Sequence, residues 1–308
     1  MASVLETKAN GTTYFPAELT NEMINLVRGK SSLAKLSAQR PVPFRGETAW
    51  TFTLDKEVDL VAESGAKSNG GATLSQVTIT PVKVEYGMRV SDEFMYASQE
   101  IQLDYLRAFA EGFAAKVARG IDIMAIHGLN PRTATAATTI GNNCFDKAVS
   151  NTVTYVAATA NDNVTAAIAL VEGAEHEVTG MAMAPAFRAA LANIKKGTNS
   201  NESLFPELTW GANPDTINGL AVDTNSTVAF TGTGTGNTNT DRAIVGNFRD
   251  YFRWGFAKQI PIEVIQYGNP DNDATAGDLK GHNQVYLRGE AYIGWGILVP
   301  AAFALIEA

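Results

Sequence analysis

The chain has 308 residues, 45% apolar and 18% charged, enough to bury a core in one large domain or two modest ones. Its 24 Lys and Arg against 32 Asp and Glu give a formal net charge of −8 with no dense basic run, which excludes a protein that grips nucleic acid through clustered cations. No stretch approaches the ~18 apolar residues of a membrane span, and Met1 to Lys8 has no basic flank with a long apolar stretch after it, so no secretory leader is expected. The single Cys144 excludes an internal disulfide, so the expectation is a cytoplasmic birthplace.

Residues 1–40 read as an arm. Tyr14-Phe15-Pro16 precedes a short amphipathic stretch, with Leu19, Met23, Leu26 and Val27 at helical spacing. That stretch is too short to stand alone, so it is expected to lie on another surface. Residues 41–82 read as a long hairpin. Thr48 to Leu54 alternates, with Trp50, Phe52 and Leu54 on one side and Ala49, Thr51 and Thr53 on the other. Ser75 to Val82 is the expected return strand, and the Gly- and Asn-rich run from Ser64 to Gly71 is its tip. A hairpin of this kind needs cover, and too few neighbours in sequence supply it, so another subunit is the expected source.

Val82 to Val90 alternates as a further strand, and Ser91-Asp92-Glu93 opens a short helical turn. The strongest helix is expected from Glu100 to His127, where Leu106, Phe109, Ala110, Phe113, Val117, Ile121 and Met124 fall at three- and four-residue steps. Gly128 is the expected stop. Residues 150–230 differ in composition. Asp162 is read as the cap of a helix carrying Val164, Ala167, Ile168 and Val171. Met181 to Ala184 reads as a buried strand, Pro185 opens a helix through Ile194, and Asn218-Gly219 turns into a strand. Thr231 to Thr240 reads as an exposed loop. The remaining segments, Ala243–Gly246, Tyr251–Trp254, Ile260–Gln266, Gln284–Gly289 and Ala291–Leu298, each suit a strand, and the apolar C-terminus is expected to dock.

The search for chemistry ends in eliminations. Gly29-Lys30-Ser31 lacks the earlier glycine of a phosphate loop, and Gly232, Gly234 and Gly236 lack a strand-to-helix setting. His127, His176 and His282 are far apart, so no metal site is expected. Asp271 and Asp273 lack the glycine and closing glutamate of a calcium loop and read as solvated. No nucleophile elbow occurs, and Cys144 reads as an inert thiol. No catalytic residue and no cofactor is therefore expected.

The order of the pieces resembles the tailed-bacteriophage major capsid protein family, an α+β fold of the Hong Kong 97 type. The hairpin is similar to that family's extended loop. Val90-Ser91-Asp92-Glu93-Phe94-Met95, followed by the helix through Asp122 and Gly128, resembles its passage into the spine helix. Met183-Ala184-Pro185, Leu204-Phe205-Pro206 and Asn218 to Val222 resemble its axial domain. Ala243 to Phe248, Val285 to Arg288 and Pro300 to Phe303 resemble its closing peripheral strands. Asn247 stands where an aspartate is common in the family.

The resemblance implies an N-terminal arm at 1–40, an extended loop at 41–82 and a first peripheral part at 83–149. An axial domain at 150–240 and a second peripheral part at 241–308 complete it. It implies a structural protein that self-assembles as hexamers and pentamers into an icosahedral shell around double-stranded DNA, with no enzymatic role. The implied partners are copies of itself and a portal protein, with either a separate scaffolding protein or no scaffold at all, and with decoration proteins left open. The DNA would be enclosed without sequence-specific binding, no membrane would be involved, and the shell would assemble in the host cytoplasm. Phe15, Trp50, Phe52 and Lys67 are the candidates for contacts between subunits. The alternatives are an encapsulin-like compartment and a hydrolase whose site forms only in the fold.

Overall fold

The computed structural model describes residues 6–7, 13–14, 27, 30–197, 200–233, 240–257 and 262–308. Phe15 and most of the expected arm lie outside the described residues, as does most of the expected loop after Thr231. Two short strands, β1 (Glu6–Thr7) and β2 (Thr13–Tyr14), pair antiparallel. Helix α1 (Ser32–Leu36) follows, then β3 (Glu47–Leu54), β4 (Ala72–Ile79) and β5 (Val82–Ser91). A 3-10 turn at Asp92–Tyr96 leads into α2 (Gln99–His127). Next come α3 (Phe145–Ala148), β6 (Thr152–Thr154), α4 (Ala160–Gly173), β7 (Gly180–Met183) and α5 (Pro185–Asn193). The chain closes through β8 (Thr216–Ile217), β9 (Leu220–Thr224), β10 (Asp241–Gly246), α6 (Phe248–Tyr251), β11 (Phe252–Phe256), β12 (Ile262–Ile265), β13 (Gln284–Ile297) and β14 (Phe303–Glu307).

The spine helix α2 has 29 residues, about 43 Å at ~1.5 Å per residue. Ser98 caps its first turn by accepting from the Ile101 N–H. It stops at Gly128, whose φ of 66° lets the chain turn left-handed without a Cβ clash. Sequence and structure agree on its ends to within one residue.

Two sheets lie against this helix. The first has six strands in the order β6-β14-β10-β7-β9-β8, mixing parallel and antiparallel pairs. Alternate residues of β7, β10 and β14 feed two separate cores. Ala182, Ile244 and Leu305 join the spine helix in one, while Met181, Met183, Ala243, Val245, Ala304 and Ile306 meet Val171, Phe187 and Leu191 in the other. Both faces are covered, which is why these strands read as continuous apolar runs rather than alternating ones. The sheet also crosses the expected division at 240, since β10 and β14 run between strands of the 150–240 region.

The second sheet is built on β13. Its one edge pairs with β11 and then β12, and its other edge with β5 from Gln284↔Ser91 to Ile293↔Val82. The sequence suggests two strands here, but β13 is one strand of 14 residues. Gly289 does not break it. Instead it admits the Phe113 ring of the spine helix, which a Cβ would meet at 3.3 Å.

Three local details have physical causes. Helix α4 begins at Ala160, so Asp162 sits in its first turn rather than at its cap, still well placed for the helix dipole. Its neighbour Asn163 is buried, accepting from the Val156 N–H at 2.9 Å and donating to the Thr154 carbonyl at 3.1 Å. Ser31 is buried and caps α1.

Candidate assembly interface

Strands β3 and β4 pair antiparallel without interruption from Glu47↔Ile79 to Leu54↔Ala72. Because side chains alternate, this register puts Trp50, Phe52, Leu54 and Leu74 on one face and Ala49, Val77 and Ile79 on the other. The second face packs at the hairpin's base against Val42, Leu298 and Tyr251. The first does not pack on its own subunit: Trp50, Phe52 and Leu54 are 60%, 66% and 68% exposed. Beyond the paired strands the tip is open throughout, including Val58, Leu60 and Lys67. Trp50 and Phe52, named from sequence, thus lie side by side on an uncovered apolar strip.

A second uncovered apolar feature lies between β5 and the spine helix. It is a groove of about 340 Å³ lined by Tyr86, Met88, Tyr105, Phe109, Gly112 and Phe113, with Lys116 at its edge. Phe109 and Phe113 stack with parallel rings 6.3 Å apart and form its floor. Gly112 leaves open space where a side chain would stand.

The spine helix is fastened to the rest of the subunit by a buried acid. Asp122 Oδ1 accepts from Ser31 Oγ at 2.5 Å and the Leu33 N–H at 3.3 Å. Its Oδ2 accepts from the Ser32 N–H at 3.0 Å, Thr227 Oγ1 at 2.9 Å and Asn225 Nδ2 at 3.3 Å. Burial pushes this carboxyl up to about 6, opposed by the bonds from Ser31, Ser32, Thr227 and Leu33. Lys35 of α1 then reaches Asp215 at 2.7 Å and Asp223 at 3.1 Å, beside and within β9. The C-terminal part of the expected arm is thereby joined to both the helix and the six-stranded sheet.

The phage capsid family model matches residues 11–308. The chain belongs to the phage capsid family. A solved chain from Mycobacterium phage Ogopogo is 30% identical, with a TM-score of 0.76, and the match covers 90% of this chain and 92% of that one. A solved chain from Gordonia phage Cozz is 23% identical, with a TM-score of 0.71 and coverage of 90% and 86%. A chain of the capsid of an empty GTA particle computed with C5 symmetry is 16% identical, with a TM-score of 0.62 and coverage of 90% of each. No curated protein matches the sequence. The fold is of the Hong Kong 97 type, and this is a major capsid protein that forms the shell of the virion. Family and structural neighbours favour a phage shell over an encapsulin-like compartment, and they are structural proteins rather than enzymes.

Several sequence candidates fall into place in this capsid protein. The three histidines are not gathered: His176 packs edge-on against Tyr251, and His282 meets the Asp278 carbonyl at 3.0 Å. Asp271 is occupied by Arg89, at 2.6 and 2.8 Å, which holds its carboxyl down at about 2, and Arg89 also bonds Asn269 and the Gly277 carbonyl. Asp273 accepts from the Thr275 and Ala276 N–H groups. The loop read as solvated is therefore tied to β5. Cys144 is buried, and burial first and the charge of Asp146 second push its thiol up to about 11.

Sequence reasoning missed two residues of consequence. Asp122 lies four residues past Ala118 and four before Ile126, an acid on a buried helical track, and that was its signal. Trp210 stands wholly exposed, at 103%, on a backbone with φ of 58° in the 150–240 region. Nothing in its sequence surroundings marked it.

Proposed function

We propose that the hairpin at 41–82 reaches onto an adjoining copy and buries Trp50, Phe52, Leu54 and Leu74 against the groove between β5 and the spine helix of that copy. One observation carries this reading: the large apolar side chains of the hairpin face solvent while its small and branched ones face their own subunit. Burying a large apolar side chain contributes roughly 1.5–3 kcal/mol before ordering costs are subtracted. Repeated around a closed ring, such contacts sum by multivalency. Phe15 of the arm is a further anchor on neighbours, and Lys67 at the tip touches them.

The 150–240 region, with Trp210, meets its copies around fivefold and quasi-sixfold axes, giving pentamers and hexamers. Gly65, Gly70 and Gly71 let one tip adapt to both settings. A separate scaffolding protein guides assembly in the host cytoplasm, and portal and decoration proteins join the shell. The double-stranded DNA is enclosed without sequence-specific binding, in keeping with the net charge of −8. Each copy serves as structure and not as an enzyme.

Two variants test the hairpin's part. Gly112→Arg adds a side chain where no atom lies within 4 Å of the new Cβ, so the subunit accepts it while the groove is blocked. Deletion of residues 57–71 removes only exposed chain. Both are expected to give folded, soluble subunits by circular dichroism and few or no closed shells by electron microscopy. Shells at normal yield from both would end this reading.

A further inference from the structure

The C-terminal turn of the spine helix ends in a cluster that the interface does not use. His127 is buried, and its Nε2 lies 2.9 Å from the Thr227 carbonyl oxygen. A carbonyl only accepts, so Nε2 carries the hydrogen. Nδ1 therefore faces two carboxylates, Asp146 Oδ2 at 2.9 Å and Asp241 Oδ2 at 3.5 Å. One donor atom from each residue lies within 4.8 Å of the other two. The three residues come from α2, α3 and β10.

We propose that His127, Asp146 and Asp241 form a binding site for one divalent transition-metal ion of the zinc type, held through Nδ1 and one oxygen of each carboxylate. Zinc sits about 2.0–2.2 Å from imidazole and carboxylate donors, which places neighbouring tetrahedral ligands roughly 3.4 Å apart. The two observed separations bracket that value, so small side-chain movements admit the ion. A metal-bound imidazole characteristically donates its other N–H to a carbonyl or carboxylate, the part Thr227 takes here. One nitrogen and two oxygens suit zinc better than calcium or magnesium, which take oxygen alone.

The electrostatics agree with this geometry. The Asp146 and Asp241 carboxylates both face one imidazole nitrogen in a largely sealed pocket, so like charges meet there. A dication offsets that repulsion. Glu307 stands opposite Asp241 in the β10–β14 register and adds a third carboxyl group near the pocket. Access is from one side: the Asp146 side chain is 31% exposed, while those of His127 and Asp241 are sealed. A water on that side completes the coordination. The bound ion would tie the end of the spine helix to the six-stranded sheet and stiffen the plate of the shell.

The test uses the full-length capsid protein, as free subunits and as shells, stripped with a chelator and dialysed against zinc chloride. One ion per chain is expected, with a higher melting temperature and an X-ray absorption spectrum showing one imidazole nitrogen among oxygen neighbours. Asp146→Asn keeps the side chain's shape at a partly open position and is expected to weaken binding at least tenfold. Asp241→Asn is expected to do the same, while His176→Gln with His282→Gln leaves the ion in place. The proposal is overturned if the wild-type chain retains no ion, if Asp146→Asn and Asp241→Asn bind as tightly as wild type, or if the spectrum lacks imidazole.

Discussion

Along the outer hairpin, Trp50, Phe52, Leu54 and Leu74 leave well over half of their surface open, whereas at the head of α1 one carboxylate is sealed beneath five donors. The hairpin has its two strands paired along their whole length and its apolar surface unmatched. The Asp122 junction has its polar groups matched within the chain and no surface left to offer. A subunit that must fold before it assembles needs both. The junction fixes the subunit's own fold, and on the proposed reading the hairpin stays incomplete until a neighbour arrives. Substitutions at the junction should therefore act on the free subunit, and substitutions on the hairpin should act on the shell.

The largest expected effect on the free subunit is that of Asp122→Ala. It strips the acceptor from two backbone N–H groups, two hydroxyls and an amide at once. Leaving buried donors unmatched is expected to cost about 3–5 kcal/mol, read as a shift of the denaturant midpoint. A loss below about 1 kcal/mol would mean that the junction is not what holds α1 to the spine.

Next in size is a pH effect at the same residue. An unfolded aspartate titrates near ~3.9, and burial raises Asp122 to about 6 in the folded chain. The folded state thus binds this proton more tightly, and its contribution to stability is complete below about pH 4. It is lost as the pH rises through about 6, a change on the order of 3 kcal/mol. Other carboxylates tilt the curve as well, so the readout is the difference between wild type and Asp122→Asn. That difference should move against the wild type between about pH 4 and 6 and level off above. A flat difference across this window would place the acid in water.

Smaller still, and local, is Arg89→Ala. Arg89 reaches across from β5 to Asn269, Asp271 and the Gly277 carbonyl, and so holds the long loop before β13. Its removal is expected to speed proteolytic cleavage within residues 269–277 while leaving the global melt nearly unchanged.

How much of this was legible in the sequence depends on the range of the forces involved. The spine helix could be read because its signals are local: apolar residues every three or four positions and a glycine where the chain must turn left-handed. The hairpin could be read because alternation and a Gly-rich tip are local too, and the alternation even named the open face. What could not be read is which strands are neighbours. β10 and β14 join β7 and β6 through contacts between distant segments, and a buried apolar run says strand without naming its partner. For the same reason His127, Asp146 and Asp241 looked like unrelated residues. Only the packing of α2 on the six-stranded sheet brings an imidazole from a helix end to a carboxylate at the start of a strand. Asp122 carried a local signal that went unread, an acid on a buried track, and its partners at 31–33 and 225–227 follow from the fold alone.

The smallest effect on the free subunit is expected where the effect on the shell is greatest, and this separates the two regions most sharply. Trp50→Ser with Phe52→Ser exchanges two exposed rings for small polar side chains on a strand whose backbone pairing is unaffected. Neither ring belongs to a core cluster of its own subunit, so no cavity opens, and stability should change by less than about 0.5 kcal/mol. Serine lowers strand propensity slightly, but the base of the hairpin stays anchored through Ile79 and Val77. Aromatic anchors concentrate interface energy, and truncating one costs on the order of 2 kcal/mol or more per contact. Multiplied around a ring, that loss should leave soluble subunits with the wild-type melting temperature and no closed shells by electron microscopy. A lowered melting temperature in the free subunit would instead show that the strip is covered by its own chain, and the contrast between the hairpin and the Asp122 junction would collapse.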